Sequence, residues 1–304
     1  LEASQQEFLQ HLLNGVTLGS IYALIALGYT MVYGILQLIN FAHSEVYMMG
    51  AFAAYYTGRS LNLDQSPGIL SFIILLVAAI VACSVLGLTI ERFAYRPLRK
   101  APKLNILITA IGVSLLLQYS AQIIFGAEPK LFPEVLADRT LFTVAEVEVR
   151  TLDITIFLVG TLAMGGLHFL IHHTRLGMAM RAVSVNGPVA SLMGINVDRI
   201  IMWTFVVGSS LAAVGSVLVG LKYPKIDPLM GMLIGIKAFV AAVLGGIGSL
   251  PGAMLGGIFL GLSEEMVVAY LSSTYRDALA FGILIVVLLF RPAGLMGTPV
   301  REKV

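Results

Sequence analysis

Charge is scarce in this chain: only 12% of its 304 residues are Asp, Glu, Lys or Arg, about half the share in an ordinary soluble domain. A single cysteine, Cys83, rules out an intrachain disulfide. No Lys or Arg precedes Arg59, so the opening residues lack the basic segment of a secretory signal and no cleavage is expected. No G-x-x-x-x-G-K-[ST] occurs, which denies the chain a phosphate-binding loop, so any ATP must be hydrolysed by another protein. The H-E-x-x-H zinc motif and the G-x-S-x-G nucleophile elbow are also missing. His168, His172 and His173 then read as an adventitious cluster at a membrane edge, with no metal set and no catalytic residues. A formal net charge of +2 is too small to argue for nucleic acid.

Apolar residues fill the space that charge leaves. They make up 58% of the chain, and mean hydropathy is +0.92. Runs of the length that crosses a bilayer fall at about 12–36, 38–58, 69–91, 104–126, 152–173, 200–221, 231–247, 252–271 and 278–290, the last three short or broken by glycine. The expected fold is all-α: one polytopic membrane domain over 1–304 with eight or nine transmembrane helices, one or more of them short or broken.

Basic loops near spans stay in the cytoplasm. Segment 91–103 holds Arg92, Arg96, Arg99, Lys100 and Lys103 against Glu91, and loop 174–199 holds Arg175, Arg181 and Arg199 against Asp198. The loop between them, 127–151, carries Glu128, Glu134, Asp138, Glu146 and Glu148 against Lys130, Arg139 and Arg150. Residues Val144–Arg150 within it alternate like a strand, which suggests a small hairpin. The first two segments are expected inside and 127–151 outside. Counting crossings puts the amino terminus outside and the tail, with Arg291, Arg301 and Lys303, inside.

Glycine accounts for 31 residues. Within spans it marks faces where helix backbones approach closely, as at Gly15 and Gly19 and at Gly252, Gly256, Gly257 and Gly261. The run Gly245-Gly246-Ile247-Gly248-Ser249-Leu250-Pro251-Gly252 cannot sustain a helix. Such a break needs protein or a water-filled cavity to satisfy its backbone, which makes it a candidate wall of a transport path.

Polar residues within spans require partners. At 100° per residue, Asn40, His43, Ser44 and Tyr47 share one helical face, whereas Glu45 projects to the other beside Phe41, Met48 and Met49. The set reads either as a polar patch along a conduit or as a hydrogen-bond clamp between helices. Lys237 and Glu264, with Glu265 adjacent, stand in different spans, where an ion pair could form; they are either structural or part of the route. Residues Pro188, Val189, Ala190, Ser191, Leu192 and Met193, ending at Gly194, spell a helix of under two turns. It is too short to persist alone, and its apolar residues suit a groove on another protein, lipid headgroups or the underside of the bundle.

Several ordered blocks resemble one family, the integral-membrane permeases of branched-chain amino-acid ABC importers, most nearly its high-affinity Leu/Ile/Val branch. They are Gly15–Leu24 running to Gly34, Asn40-Phe-Ala-His-Ser-Glu45, Glu91-Arg-Phe-Ala-Tyr-Arg-Pro97, Arg181 with Leu192–Arg199, Lys237–Ser249, Pro251-Gly-Ala and Arg291-Pro-Ala-Gly-Leu. Ser44, where the family usually has Gly, and Gly187-Pro188, where it is usually acidic, depart from the pattern. The resemblance implies a multi-pass protein of the bacterial inner membrane, in contact with lipid and forming half of a translocation path. It implies a second, unlike permease, two cytoplasmic ATPases that use ATP and Mg, and a periplasmic binding protein. It makes 188–194 the helix that docks into the ATPase. The rival reading is an ATP-independent carrier or channel built on Lys237, Glu264 and the glycine break; within the family, urea, amides or other neutral amino acids are alternative cargo.

Overall fold

The computed structural model describes residues 2–99, 101–144 and 147–297. Leu1, Lys100, Glu146, Arg301 and Lys303, of which the last four entered the loop charges above, lie outside the described residues. All nine apolar runs become helices: α1 (Glu2–Leu36), α2 (His43–Ser60), α3 (Ile69–Ile90), α4 (Lys103–Phe125), α5 (Thr151–His173), α8 (Val197–Lys222), α9 (Met230–Gly245), α10 (Leu250–Tyr270) and α11 (Arg276–Phe290). Two further helices, α6 (Arg175–Val185) and α7 (Gly187–Leu192), occupy the loop before α8. Seven of the nine are long and apolar enough to cross a membrane. The exceptions are α9, which is too short, and α2, which carries too much polar character and is enclosed by α3, α8 and α9. The molecule is a polytopic all-α membrane protein.

Helix α1 is the axis of the bundle, buried along most of its length against α10, α8, α9 and α5. By contrast α3, α4, α5 and α11 leave most of their apolar residues facing outward, as expected where lipid or a second subunit forms the boundary. The glycines set the closest contact. An added Cβ at Gly257 would run into the Ala23 backbone and one at Gly261 into the Gly19 backbone, while Gly252 and Gly256 press on Gly245 and Ala241 of α9. Thus α10 presents one small-residue face to α1 and another to α9. Gly261→Ala should therefore cost about 1–3 kcal/mol through overpacking and lower the melting temperature of the detergent-solubilised protein. Gly112→Ala on α4, where nothing lies within 4 Å, should leave it unchanged; equal effects would remove the packing argument.

The hairpin expected in 127–151 is present as β2 (Thr140–Val144) paired antiparallel with β3 (Val147–Arg150). The same loop contributes β1 (Lys130–Leu131), which pairs with β4 (Lys225–Ile226) after α8. This ties the far end of α8 to the loop between α4 and α5. Lys222 reinforces the tie through a 2.5 Å ion pair with Asp153 of α5.

One boundary differs from expectation. The run at 38–58 does not start a helix until His43: Gln37 adopts φ +52° and ends α1, and the Asn40 side chain accepts the Ala42 N–H at 3.2 Å. Asn40 therefore stands before α2 and not on it.

Candidate functional site: a buried polar bundle and its exposed helix

That offset breaks up the polar face drawn from 100° spacing. Asn40, His43, Ser44 and Tyr47 are all buried, but they do not share a surface. Asn40 Oδ1 accepts the Tyr95 hydroxyl at 2.8 Å, which joins the start of α2 to the π-helical turn Glu91–Tyr95 that extends α3. The His43 ring packs edge-on against Tyr29, 4.7 Å between centroids, in the space left by Gly28. Tyr47 is fully enclosed. Ser44 instead lines a cavity of about 250 Å³ together with Glu45, the residue assigned to the opposite face. The 100° spacing holds for His43, Ser44 and Tyr47 on α2, but Asn40 stands before the helix, and Ser44 adjoins Glu45 where the two faces meet.

Lys237 and Glu264 meet as an ion pair at 3.1 Å, both essentially without solvent exposure. The pair belongs to a network that sequence reasoning did not foresee. Glu264 Oε2 also accepts the Tyr22 hydroxyl at 2.9 Å, Lys237 contacts Asp277 at 2.7 Å, and Arg276 lies 3.8 Å from Glu264. Glu265 closes the network, held by Arg276 at 3.2 Å and by His11 at 3.1 Å. Helices α1, α9, α10 and α11 are thereby pinned together. Desolvating these charges is expensive, and every partner supplied by a different helix offsets part of that cost. The i, i+1 acids and the distant Lys were visible in sequence; Tyr22, Asp277, Arg276 and His11 carried no pattern to mark them.

The glycine break ends α9 at Gly245 and starts α10 at Leu250. Gly246 (φ +106°) and Gly248 (φ +96°) take left-handed conformations that favour glycine. Ser249 caps α10 by accepting the Gly252 N–H at 3.2 Å, with Pro251 in the first turn. The carbonyls freed at the end of α9 are satisfied by protein: Leu295 N–H donates to Leu244 O and Met296 N–H to Gly245 O, both at 2.9 Å. Gly294 and Gly297 let this returning segment lie against Gly246.

Helix α7 forms as expected, one residue earlier than the sequence placed it. Asn186 caps it by accepting the Val189 N–H at 3.1 Å, Pro188 sits in its first turn, and Gly194 (φ +85°) ends it. Ala190 is buried and Ser191 exposed, whereas Val189, Leu192 and Met193 are 52%, 86% and 79% exposed. Val189, Leu192 and Met193 thus offer a small apolar surface that no other described residue covers. At the start of α8, Asp198 accepts from Arg96 at 2.7 Å and from Arg99 at 2.5 Å, and Arg99 also pairs with Glu91. The Asn40, Glu91 and Leu192–Arg199 blocks therefore converge at one end of the bundle. At the end of α5, His168 and His172 stack 4.2 Å apart and Phe169 stacks on His173; none of the three histidines joins the networks above.

A bundle with a central glycine-packed helix, buried ion pairs and one uncovered helix in a connecting loop has the build of a transporter's membrane subunit. Its fold is similar to a chain in a solved structure described as a metal-chelate type ABC transporter in an inward-facing conformation, with a TM-score of 0.52, 18% identity, and coverage of 96% of this chain and 91% of that one. Residues 11–288 match the family described as branched-chain amino acid transport system, permease component. The chain is 48% identical over 303 residues to the high-affinity branched-chain amino acid transport system permease protein BraD of Pseudomonas aeruginosa. It is 46% identical over 301 residues to the corresponding permease protein LivH of Escherichia coli, and in both comparisons 98% of each chain is covered. It belongs to this family of branched-chain amino acid transport permeases.

Proposed function

We propose that this chain is one of two unlike permease subunits of an ATP-driven importer for leucine, isoleucine and valine, resident in the bacterial inner membrane. The observation that carries the reading is the alignment, at 46–48% identity and end to end, with permeases of high-affinity branched-chain amino acid systems. Two cytoplasmic ATPases use ATP and Mg, and a periplasmic binding protein delivers the cargo to the face bearing loop 127–151. The amino terminus then lies outside, and α7 and the carboxyl terminus lie inside.

The exposed Leu192 and Met193 of α7 support its assignment as the helix that enters a groove on the ATPase. The Arg96–Asp198–Arg99–Glu91 cluster ties the start of α8, four residues beyond α7, to the end of α3, so movement of α7 is passed to the spans as a rigid-body displacement. The Lys237–Glu264 ion pair and its contacts with Asp277 and Tyr22 support a structural role for the pair, which takes these two residues out of the carrier reading.

The test of cargo is the ATPase activity of the purified complex with its binding protein. Leucine should stimulate it and urea should not. Stimulation by urea without leucine would reverse the assignment.

A further inference from the structure

We propose that Glu45 is the point in the membrane path that receives the α-ammonium group of the passing amino acid. This rests on the importer reading above and extends it to a substrate-contacting residue, the last of the Asn40–Glu45 block, which lies off the polar face formed by His43, Ser44 and Tyr47.

Glu45 is 2% exposed, and its carboxylate is poorly served. Oε1 accepts only from Ser44 and Ser114, both at 3.4 Å, beyond the usual range for a hydroxyl donor. Oε2 has no hydrogen-bond partner among the described residues. Among the described residues no cation pairs with it, in contrast to Glu91, Asp153, Glu264 and Glu265, each of which has a basic partner. An acid held in a membrane bundle without compensation is costly, and such groups are kept where a function needs them.

The space beside it fits the proposed guest. Glu45 lines the 250 Å³ cavity between α1, α2, α4 and α9, with Gln118 and Ser114 as further polar groups and Phe239, Ile236 and Leu115 among its apolar walls. That volume lies below the roughly 300 Å³ at which pockets for drug-sized ligands begin, so the guest is a small solute. One carboxylate next to aliphatic and aromatic walls matches a molecule with an ammonium group and a branched hydrocarbon. Gly235 lines the cavity, and at both Gly231 and Gly235 an added Cβ would run into Ser44, so these glycines set how closely α9 approaches α2 beside Glu45. The outer lining residues Ile111, Leu115 and Met232 are 44%, 46% and 57% exposed, so the cavity communicates with the outer face of the bundle.

The test uses the four-subunit complex. Saturable binding of radiolabelled leucine is measured without the binding protein, in competition with 3-methylbutylamine, which has the ammonium but no carboxylate, and 4-methylpentanoate, which has the reverse. The amine should displace leucine and the acid should not. Glu45→Gln should weaken leucine binding at least about tenfold, as expected for a lost charged hydrogen bond, and lower leucine transported per ATP in proteoliposomes while ATPase stimulation persists. Glu45→Asp should recover part of both. Equal competition by amine and acid, no saturable binding to the wild-type complex, or an unchanged Gln variant each overturn the proposal; should the Gln variant fail to assemble, the wild-type competition decides. A wild-type complex that takes up no leucine from its loaded binding protein overturns the cargo reading, whereas wild-type uptake with an indifferent Gln variant overturns this inference alone.

Discussion

Lys237→Met is expected to destabilise the bundle by about 3–5 kcal/mol, the cost of removing one member of a buried pair and leaving the other charge uncompensated. Glu264 is fully buried, and its remaining partners would be the Tyr22 hydroxyl at 2.9 Å and the Arg276 guanidinium at 3.8 Å. Asp277 would lose its 2.7 Å contact as well. Because the network spans α1, α9, α10 and α11, the loss should appear as a lowered melting temperature and reduced yield of folded protein in detergent. Lys237→Met with Glu264→Gln should recover much of it, since a neutral amide in that site no longer demands a cation. A single variant as stable as the parent, or a double variant worse than the single, would show that the pair does not hold these helices.

Leu192→Asp is expected to uncouple the permease while leaving it folded. Leu192 is 86% exposed, so a change there should alter stability by less than about 0.5 kcal/mol. If α7 enters an ATPase groove, a carboxylate at the most exposed apolar position of the helix would be buried without a partner, which costs about 2 kcal/mol or more at the centre of an interface. Co-purification of the ATPase subunits should fall sharply, and binding-protein-stimulated hydrolysis should drop at least tenfold, with insertion and melting temperature unchanged. Leu192→Ala should be milder. Normal co-purification with the Asp variant would remove α7 from the interface.

The contrast between these two sites shows what local sequence encodes. Lys237 with Glu264 was legible because charges are rare in apolar runs, so two of opposite sign nominate each other. The α7 boundaries were legible within a residue because Pro188 and Gly194 each act on their own backbone, whereas the Asn186 cap was not read from the sequence. Likewise, the alternation near Val144–Arg150 marked the β2–β3 hairpin, and glycine spacing marked the packing faces of α1 and α10 though not that they meet. The cavity at Glu45 was not legible. Its walls come from α1, α2, α4 and α9, and Gln118 lies 73 positions from Glu45; no period within one helix reports such a meeting. The start of α2 was misplaced for a related reason: the apolar residues around Asn40 hid the turn set by Gln37 and by the Ala42 N–H to Asn40 Oδ1 bond. Nor did composition indicate that residues 294–297 return to satisfy the glycine break, since backbone donors have no sequence signature.

The central claim, that this chain is the passive half-conduit of an ATP-driven amino acid importer, is tested most directly by leucine accumulation in proteoliposomes. These would contain this permease, its sister permease and the two ATPases, with the binding protein on the outer face. The account predicts accumulation against a gradient that requires internal ATP and disappears when the ATPase subunits are omitted. Leucine uptake that continues at the same rate without those subunits would contradict it.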